Sequence, residues 1–214
     1  MALHIMAVQP ANAADSFTIR QGWNLLNSEV VLNYKDELGK FVVDDGGGAL
    51  YVLNNKDKKY YGGSGNFEIV WNTMEQNSGI DHNDLFASGW WVYAPKDISI
   101  DVNPKAISFD TQAIKRQSAY HFAKGWNFIG ITSVMKNKSL MDVKGSCEFV
   151  SAYGFGSNLN SKGERIQDWQ KLLQSDFEHK FKEDQLGIAI AVKVSNDCKF
   201  NFENSSPPPA LPNY

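Results

Sequence analysis

Gly22-Trp23-Asn24-Leu25-Leu26 and Gly125-Trp126-Asn127-Phe128-Ile129 are two copies of one phrase, and their spacing decides how the chain is read. Each copy follows a short alternating stretch: Phe17-Thr18-Ile19-Arg20 before the first, Tyr120-His121-Phe122-Ala123 before the second. Each is answered downstream by a tryptophan and then by a glycine that starts an apolar run. The same landmarks in the same order mark a tandem repeat. Gly22 and Gly125 stand 103 residues apart, whereas Gly65 and Gly163, Trp71 and Trp169, and Gly89 and Gly187 all stand 98 apart. The second copy is therefore five residues shorter between its phrase and its middle. The loss is expected in the loop Asp44-Asp45-Gly46-Gly47-Gly48, because loops absorb length changes at small cost.

At 214 residues, 43% of them hydrophobic, the chain is long enough to bury a core and divides into two domains of roughly 100 residues each. The expected boundaries are a leader at 1–14, a first repeat domain at 15–103, a linker at 104–118, a second repeat domain at 119–203 and a Pro-rich tail at 204–214. A net charge of −3 without a basic stripe speaks against a nucleic-acid partner. The cluster Lys56-Asp57-Lys58-Lys59 is short and interrupted, and reads as a solvated turn. No segment reaches the roughly 20 apolar residues of a membrane span. High Gly, Asn and aromatic content with alternating runs predicts a mainly β protein, a β-rich α+β fold of β-sandwich type with one short helix per repeat.

In the first repeat, strands are predicted at residues 17–20 and 23–32, as a hairpin at 40–43 and 49–53 around the Asp-Asp-Gly-Gly-Gly turn, at 90–94, and at 98–102 with clean alternation. In the second, Ile166, Trp169, Leu172, Leu173 and Phe177 fall at spacings of three and four, which predicts an amphipathic helix over residues 166–181. Matching Trp71 to Trp169 extends a helix to residues 72–76 of the first repeat. The tail, with Pro207-Pro208-Pro209-Ala210-Leu211-Pro212, is expected to be extended. Its Pro209 to Pro212 spacing has no adjacent basic residue, so it reads as a linker or stalk remnant rather than an SH3-type ligand.

Two features bear on address. Ala11-Asn12-Ala13 after the apolar run Ala2 to Val8 has the small-x-small form of a signal-peptidase site, although a basic start and a longer apolar stretch are missing. The alternative is an ordinary leader. Cys147 and Cys198 fall, by the 98-residue offset, where the first repeat has apolar Ala49 and Ile100. A disulfide between neighbouring buried strands fits that placement and an exported protein, and its closure would contribute about 4 kcal/mol. Two reduced, buried cysteines are the other reading.

The search for chemistry yields little. His4, His82, His121 and His179 do not cluster with one another or with a cysteine at metal-ligand spacing, and His121 reads as a surface strand residue. Gly62-Gly63-Ser64-Gly65 is not a nucleophile elbow. Asp44-Asp45 and Asp81-His82-Asn83-Asp84 have calcium-binding oxygens without the spacing of a known loop, so they read as solvated turns. No catalytic constellation, metal site or cofactor motif emerges.

One difference between the copies is informative. By the 98-residue offset Trp90 and Val92 match Ile188 and Ile190, while Trp91 and Tyr93 match Ala189 and Ala191. Side chains alternate across a strand, so the first pair should face a core and the second the opposite face. That face is aromatic in the first copy and bare in the second. Trp91 and Tyr93 either pack under a loop or against the second copy, or form an exposed platform extended by Tyr60 and Tyr61. Such a platform would stack on sugar rings or anchor a partner protein.

The order of Gly22-Trp23-Asn24-Leu25-Leu26, a mid-repeat Trp, and Gly89-Trp90-Trp91-Val92-Tyr93 resembles a Gly-Trp-Asn-Leu-(Ile/Leu) to Gly-(Tyr/Trp)-Trp-Val repeat of secreted and surface proteins of bacteria. Gly125 to Gly130 matches its start. Gly187-Ile188-Ala189-Ile190 departs by lacking both aromatics. The resemblance implies an extracellular, cell-surface or periplasmic module. The function expected is non-catalytic binding or adhesion, with a glycan or a surface protein as ligand. The alternatives are a self-assembling subunit of a surface layer, pilus or filament, and an envelope hydrolase.

Overall fold

The computed structural model describes residues 16–33, 39, 47–101, 120–159, 165–182, 185 and 187–201. The leader, the linker, the Pro-rich tail and the strand expected at 40–43 lie outside them. The first half runs β1 (Ser16–Ile19), β2 (Gly22–Asn27), α1 (Ser28–Asn33), β3 (Ala49–Leu53), β4 (Tyr60–Ser64), α2 (Phe67–Gln76), α3 (His82–Ala87), β5 (Gly89–Ala94) and β6 (Ile98–Asp101). The second runs β7 (His121–Phe122), β8 (Gly125–Gly130), α4 (Leu140–Val143), β9 (Phe149–Leu159), β10 (Arg165–Leu172), β11 (Ala189–Val194) and β12 (Cys198–Lys199). Turns of 3-10 helix lie at Ser133–Met135 and Gln174–Glu178.

The protein is mainly β, and its two halves share one strand plan. The first four-stranded antiparallel sheet has the order β2-β5-β3-β4, the second β8-β11-β9-β10, and the pairs β1-β6 and β7-β12 flank them. The repeated phrase starts each plan. Gly22 and Gly125 have φ of 95° and 97°, which glycine adopts without the steric cost a Cβ would bring. The asparagine two residues on then staples the turn. Asn24 Nδ2 donates to the carbonyls of Arg20 (2.8 Å) and Gly22 (3.1 Å). Asn127 Nδ2 donates in the same way to Ala123 (2.8 Å) and Gly125 (2.9 Å).

Each sheet has an outer and an inner face. On the outer face of the first, Leu50, Val52, Trp90 and Val92 are buried under Val70 and Met74 of α2. On the outer face of the second, Ile129, Ile190 and Val192 pack with Phe177, Phe181 and Leu140. The inner faces meet each other, and a third cluster of Leu25, Leu53, Phe128, Ala189 and Ala191 holds them together. At one end the approach is so close that a Cβ on Gly89 would lie 2.5 Å from that of Ala189. Backbone bonds also cross there, from Asn27 N–H to Gly187 O (3.0 Å), and Leu26 bridges to Ile188.

Strand pairing shows which positions of the two halves correspond, and corrects the 98-residue offset. Gly22 faces Ala94 across β2 and β5, and Gly125 faces Val194 across β8 and β11. The offset at this strand is thus 100 rather than 98, so Trp91 corresponds to Ala191 and Tyr93 to Lys193. A slip of two residues keeps every side chain on its face, and the division into core-facing and inner-facing pairs is unchanged.

The helix predicted at 166–181 is instead strand β10 followed by a 3-10 turn. Eight consecutive residues of β10 pair with β9, from Arg165 opposite Leu159 to Leu172 opposite Ala152. Two of its apolar side chains lie on opposite faces: Trp169 points to the first sheet and Leu172 into the outer core, while Asp168 and Lys171 are exposed. Apolar residues on two faces of a strand imitate helical spacing, and Leu173, counted in the pattern, is exposed. In the first half the helix starts earlier than predicted, at Phe67, where Asn66 Oδ1 caps the N–H of Ile69. Trp71 on a helix and Trp169 on a strand are therefore not equivalent.

Cys147 and Cys198 form a disulfide, with Cα atoms 5.0 Å apart. The position matching Cys198 in the first half is Ile98, which faces Ile19 as Cys198 faces Phe122. No described helix is long and apolar enough to cross a membrane.

Candidate functional site

The sheets touch closely at one end and gape elsewhere, and the gap is lined by rings. Trp23 lies on the inner face of β2, its ring centroid 5.2 Å from Tyr93, 6.0 Å from Tyr51 and 5.9 Å from Trp91. Trp91 reaches across the gap, edge to face with Phe155 (4.7 Å), Trp169 (5.5 Å) and Phe128 (5.9 Å) of the second sheet. Such edge-to-face pairs add about 0.5–1.5 kcal/mol each beyond the area they bury. Further along, Trp126 sits 5.6 Å from Tyr153, with Lys193 Nζ 5.9 Å from its ring.

Two connected hollows result. One, of about 440 Å³, lies among Trp23, Tyr51, Trp91 and Phe155; the other, of about 580 Å³, among Lys58, Trp126, Phe128 and Tyr153. Tyr60 and Trp169 line both. Trp23, Trp126 and Trp169 remain 38–39% exposed, and Tyr60 53%, so a ligand can reach their rings.

Each half grips the tryptophan of the other half's repeated phrase. Gln167 Oε1 accepts from the Trp23 N–H (2.8 Å) while its Nε2 donates to Gln21 O (3.0 Å). At the far side Lys58 Nζ donates to the Trp126 carbonyl (2.8 Å). Desolvation against the second sheet pushes the Lys58 ammonium below the ordinary lysine value, and the negative charge of Asp197 opposes that shift. Among the described residues no acidic side chain lines either hollow. Among the described residues no three His, Cys, Asp or Glu side chains come together as a metal-ligand set.

No family model, curated protein or solved structure matches the chain. The cleft itself is therefore the ground for any functional reading.

Of the residues singled out from sequence, Trp91, Tyr93 and Tyr60 share the inner face of the first sheet. Trp91 and Tyr93 are only half-exposed: Trp91 packs against the second sheet, over the space that Ala189 and Ala191 leave, and Tyr93 packs on Trp23. Tyr60 is open. Tyr61 lies on the opposite face, packed at the edge of the outer core, and donates to Asp57 Oδ2 (2.6 Å), a bond that raises its hydroxyl pKa. The exposed tryptophans of the cleft, Trp23, Trp126 and Trp169, were not among those residues. Strand alternation within the repeated phrase carries the signal for the first two, because Leu26 and Ile129 must face outward cores. Trp169 was hidden by the helical reading.

The aspartates weighed as calcium ligands separate. Asp44 and Asp45 lie outside the described residues. Asp84, read as part of a solvated turn, is 2% exposed. Its Oδ1 accepts from the His121 N–H (3.0 Å), so it ties α3 of the first half to β7 of the second.

Proposed function

We propose that this chain is a non-catalytic binding module of the cell exterior, and that its ligand stacks in the aromatic cleft between the two sheets. The observation that carries the reading is the set of half-exposed rings, Trp23, Trp126, Trp169 and Tyr60, held on two rigid sheets around connected hollows. Preformed aromatic surfaces bind with little ordering cost, and their rings contribute as anchors. Carbohydrate is the ligand class proposed first, since sugar rings offer apolar faces to indoles and hydroxyls to indole N–H groups. An exported address is supported by the disulfide, which persists in oxidising compartments, and by the resemblance to repeats of bacterial surface proteins. A duplication origin is supported by the shared strand plan.

The test is binding of the oxidised protein to a broad glycan array, beside Trp126→Ala and Tyr60→Ala variants whose folding is checked by circular dichroism. Both side chains are exposed enough to remove without collapsing a core. Specific binding that falls about tenfold or more in each variant is expected. Failure of the folded wild-type protein to retain any glycan removes carbohydrate as the ligand class.

A further inference from the structure

Among the described side chains that line the cleft, hydrogen-bond donors outnumber acceptors, which are the hydroxyls of Tyr51, Tyr60 and Tyr153. The tryptophans outside it are satisfied: Trp71 Nε1 donates to Glu75 Oε2 (2.8 Å) and Trp90 Nε1 to Leu85 O (3.0 Å). The four whose rings line it, Trp23, Trp91, Trp126 and Trp169, make no such bond among the described residues. Lys58 adds an ammonium at one end, and no carboxylate of the described residues lines the walls. An indole N–H can only donate. The ligand that best complements these walls brings carbonyl acceptors and flat apolar faces, and has few donors of its own to leave unpaired.

A polyproline backbone has that chemistry. Proline lacks the N–H, its carbonyls stay outward in the polyproline II helix, and the chain is already stiff, so little entropy is lost on docking. Aromatic-lined grooves are the surfaces that take such segments. This chain carries one, Pro207-Pro208-Pro209-Ala210-Leu211-Pro212. It has no basic residue, which argued against an SH3-type ligand. Among the described residues the walls of this cleft hold no acid that would need one.

We infer that the segment Pro207 to Pro212 is an occupant of the aromatic cleft, its prolines and Leu211 lying between the rings and its carbonyls accepting from the indole N–H groups. Pro207 follows Asn201, the last described residue, by six positions, which span about 19 Å of extended chain, and the six-residue segment covers about as much again. Docking is within one copy or onto a neighbour, and dilution separates the two. The inference rests on the cleft being a binding site, and it makes the segment a competitor of any external ligand.

The test uses the full chain with Pro208→Ser, Pro209→Ser, Leu211→Ser and Pro212→Ser together, substitutions outside every described core. Indole Nε1 resonances are recorded for this variant and for wild type, and a synthetic peptide of residues 204–214 is titrated into each. The expected result is that the indole signals of Trp126 and Trp169 differ between the two chains and that the peptide restores the wild-type positions saturably. Wild type should bind the added peptide about tenfold more weakly if its own segment docks within the copy at millimolar effective concentration. If wild-type positions instead move toward those of the variant on dilution, docking is between copies, and the inference stands. Adding Trp126→Ala should abolish the peptide response. Identical indole spectra, unmoved by millimolar peptide, overturn the inference. A glycan that shifts the same resonances would then leave the cleft a binding site with a different occupant, whereas silence to both probes would remove the cleft reading as well.

Discussion

The two sheets have the same strand order and opposite inner faces. On β5 the inward residues are Trp91 and Tyr93; at the matching places on β11 stand Ala191 and Lys193. The first half supplies bulk and the second supplies room, so Trp91 lies across the gap against Phe128, Phe155 and Trp169. Two halves with tryptophan at both positions would hold the sheets apart, and two with alanine would let them close. Unequal halves leave a cleft between the sheets, pinned at both sides by Gln167 and Lys58.

The largest asymmetry in stability is the disulfide, present only in the second half. Replacing both Cys147 and Cys198 with alanine should lower stability by about 4 kcal/mol, the chain-entropy value for a bridge that spans 51 residues. The loss should be uneven. Hydrogen exchange should speed up in β7, β12 and the start of β9 well before it does in β1 and β6, where Ile98 packs in place of Cys198. Equal acceleration in both halves would show that the shared cluster between the sheets makes them one cooperative unit.

Next in size is the contact between the inner faces. Trp91→Ala removes a half-buried ring with three partners from the second sheet and should cost about 3 kcal/mol in denaturant unfolding, at the low end for large-to-small changes because the ring is not fully covered. Ala191→Gly, at the matching position, should cost about 0.5–1 kcal/mol. Comparable costs for the two would contradict the division into a bulky and a bare face.

The repeated phrase should behave alike in the two halves. Asn24→Ala and Asn127→Ala each remove a buried amide that holds one turn, and about 2 kcal/mol is expected for each from the lost bonds and the groups left unpaired. A twofold difference in melting-temperature shift would mean that one turn is supported from elsewhere.

What could be read from sequence follows the range of the interactions involved. The Gly-Trp-Asn phrase is a local device, a glycine at positive φ and an amide closing its own turn, and it announces itself wherever it occurs. The inner and outer faces of β5 were legible for the same reason, since alternation is local. Alternation also places Tyr60 and Tyr61 on opposite faces, and the structure separates them so. Strand β10 was misread because what orients its apolar residues is not local: Trp169 meets the first sheet, more than 60 residues upstream, and Leu172 the outer core of the second half. The cleft was half legible. Its floor at Trp91 could be suspected, but Trp23, Trp126 and Trp169 become one surface only when the two sheets face each other.

The smallest effect lies where the halves meet at Asp84. Burial raises the pKa of this carboxyl above 3.8, while the N–H and the ring of His121 act the other way; Lys56 also lowers it and Asp81 raises it. One of its oxygens, Oδ2, is buried without a partner among the described residues. A carboxyl whose pKa is higher folded than unfolded binds its proton more tightly in the native state. Its contribution to stability is therefore full below the unfolded value and declines as pH rises through the folded one. Asp84→Asn keeps an acceptor for the His121 N–H and removes the ionisation. Over the weakly acidic range the variant should thus gain on wild type as pH increases, with the difference levelling off once Asp84 is fully ionised. Urea midpoints measured from pH 4 to 7 would show it. A variant that instead loses ground steadily with rising pH would mean that attraction to His121 outweighs desolvation, and that the charged pair helps to hold the halves together.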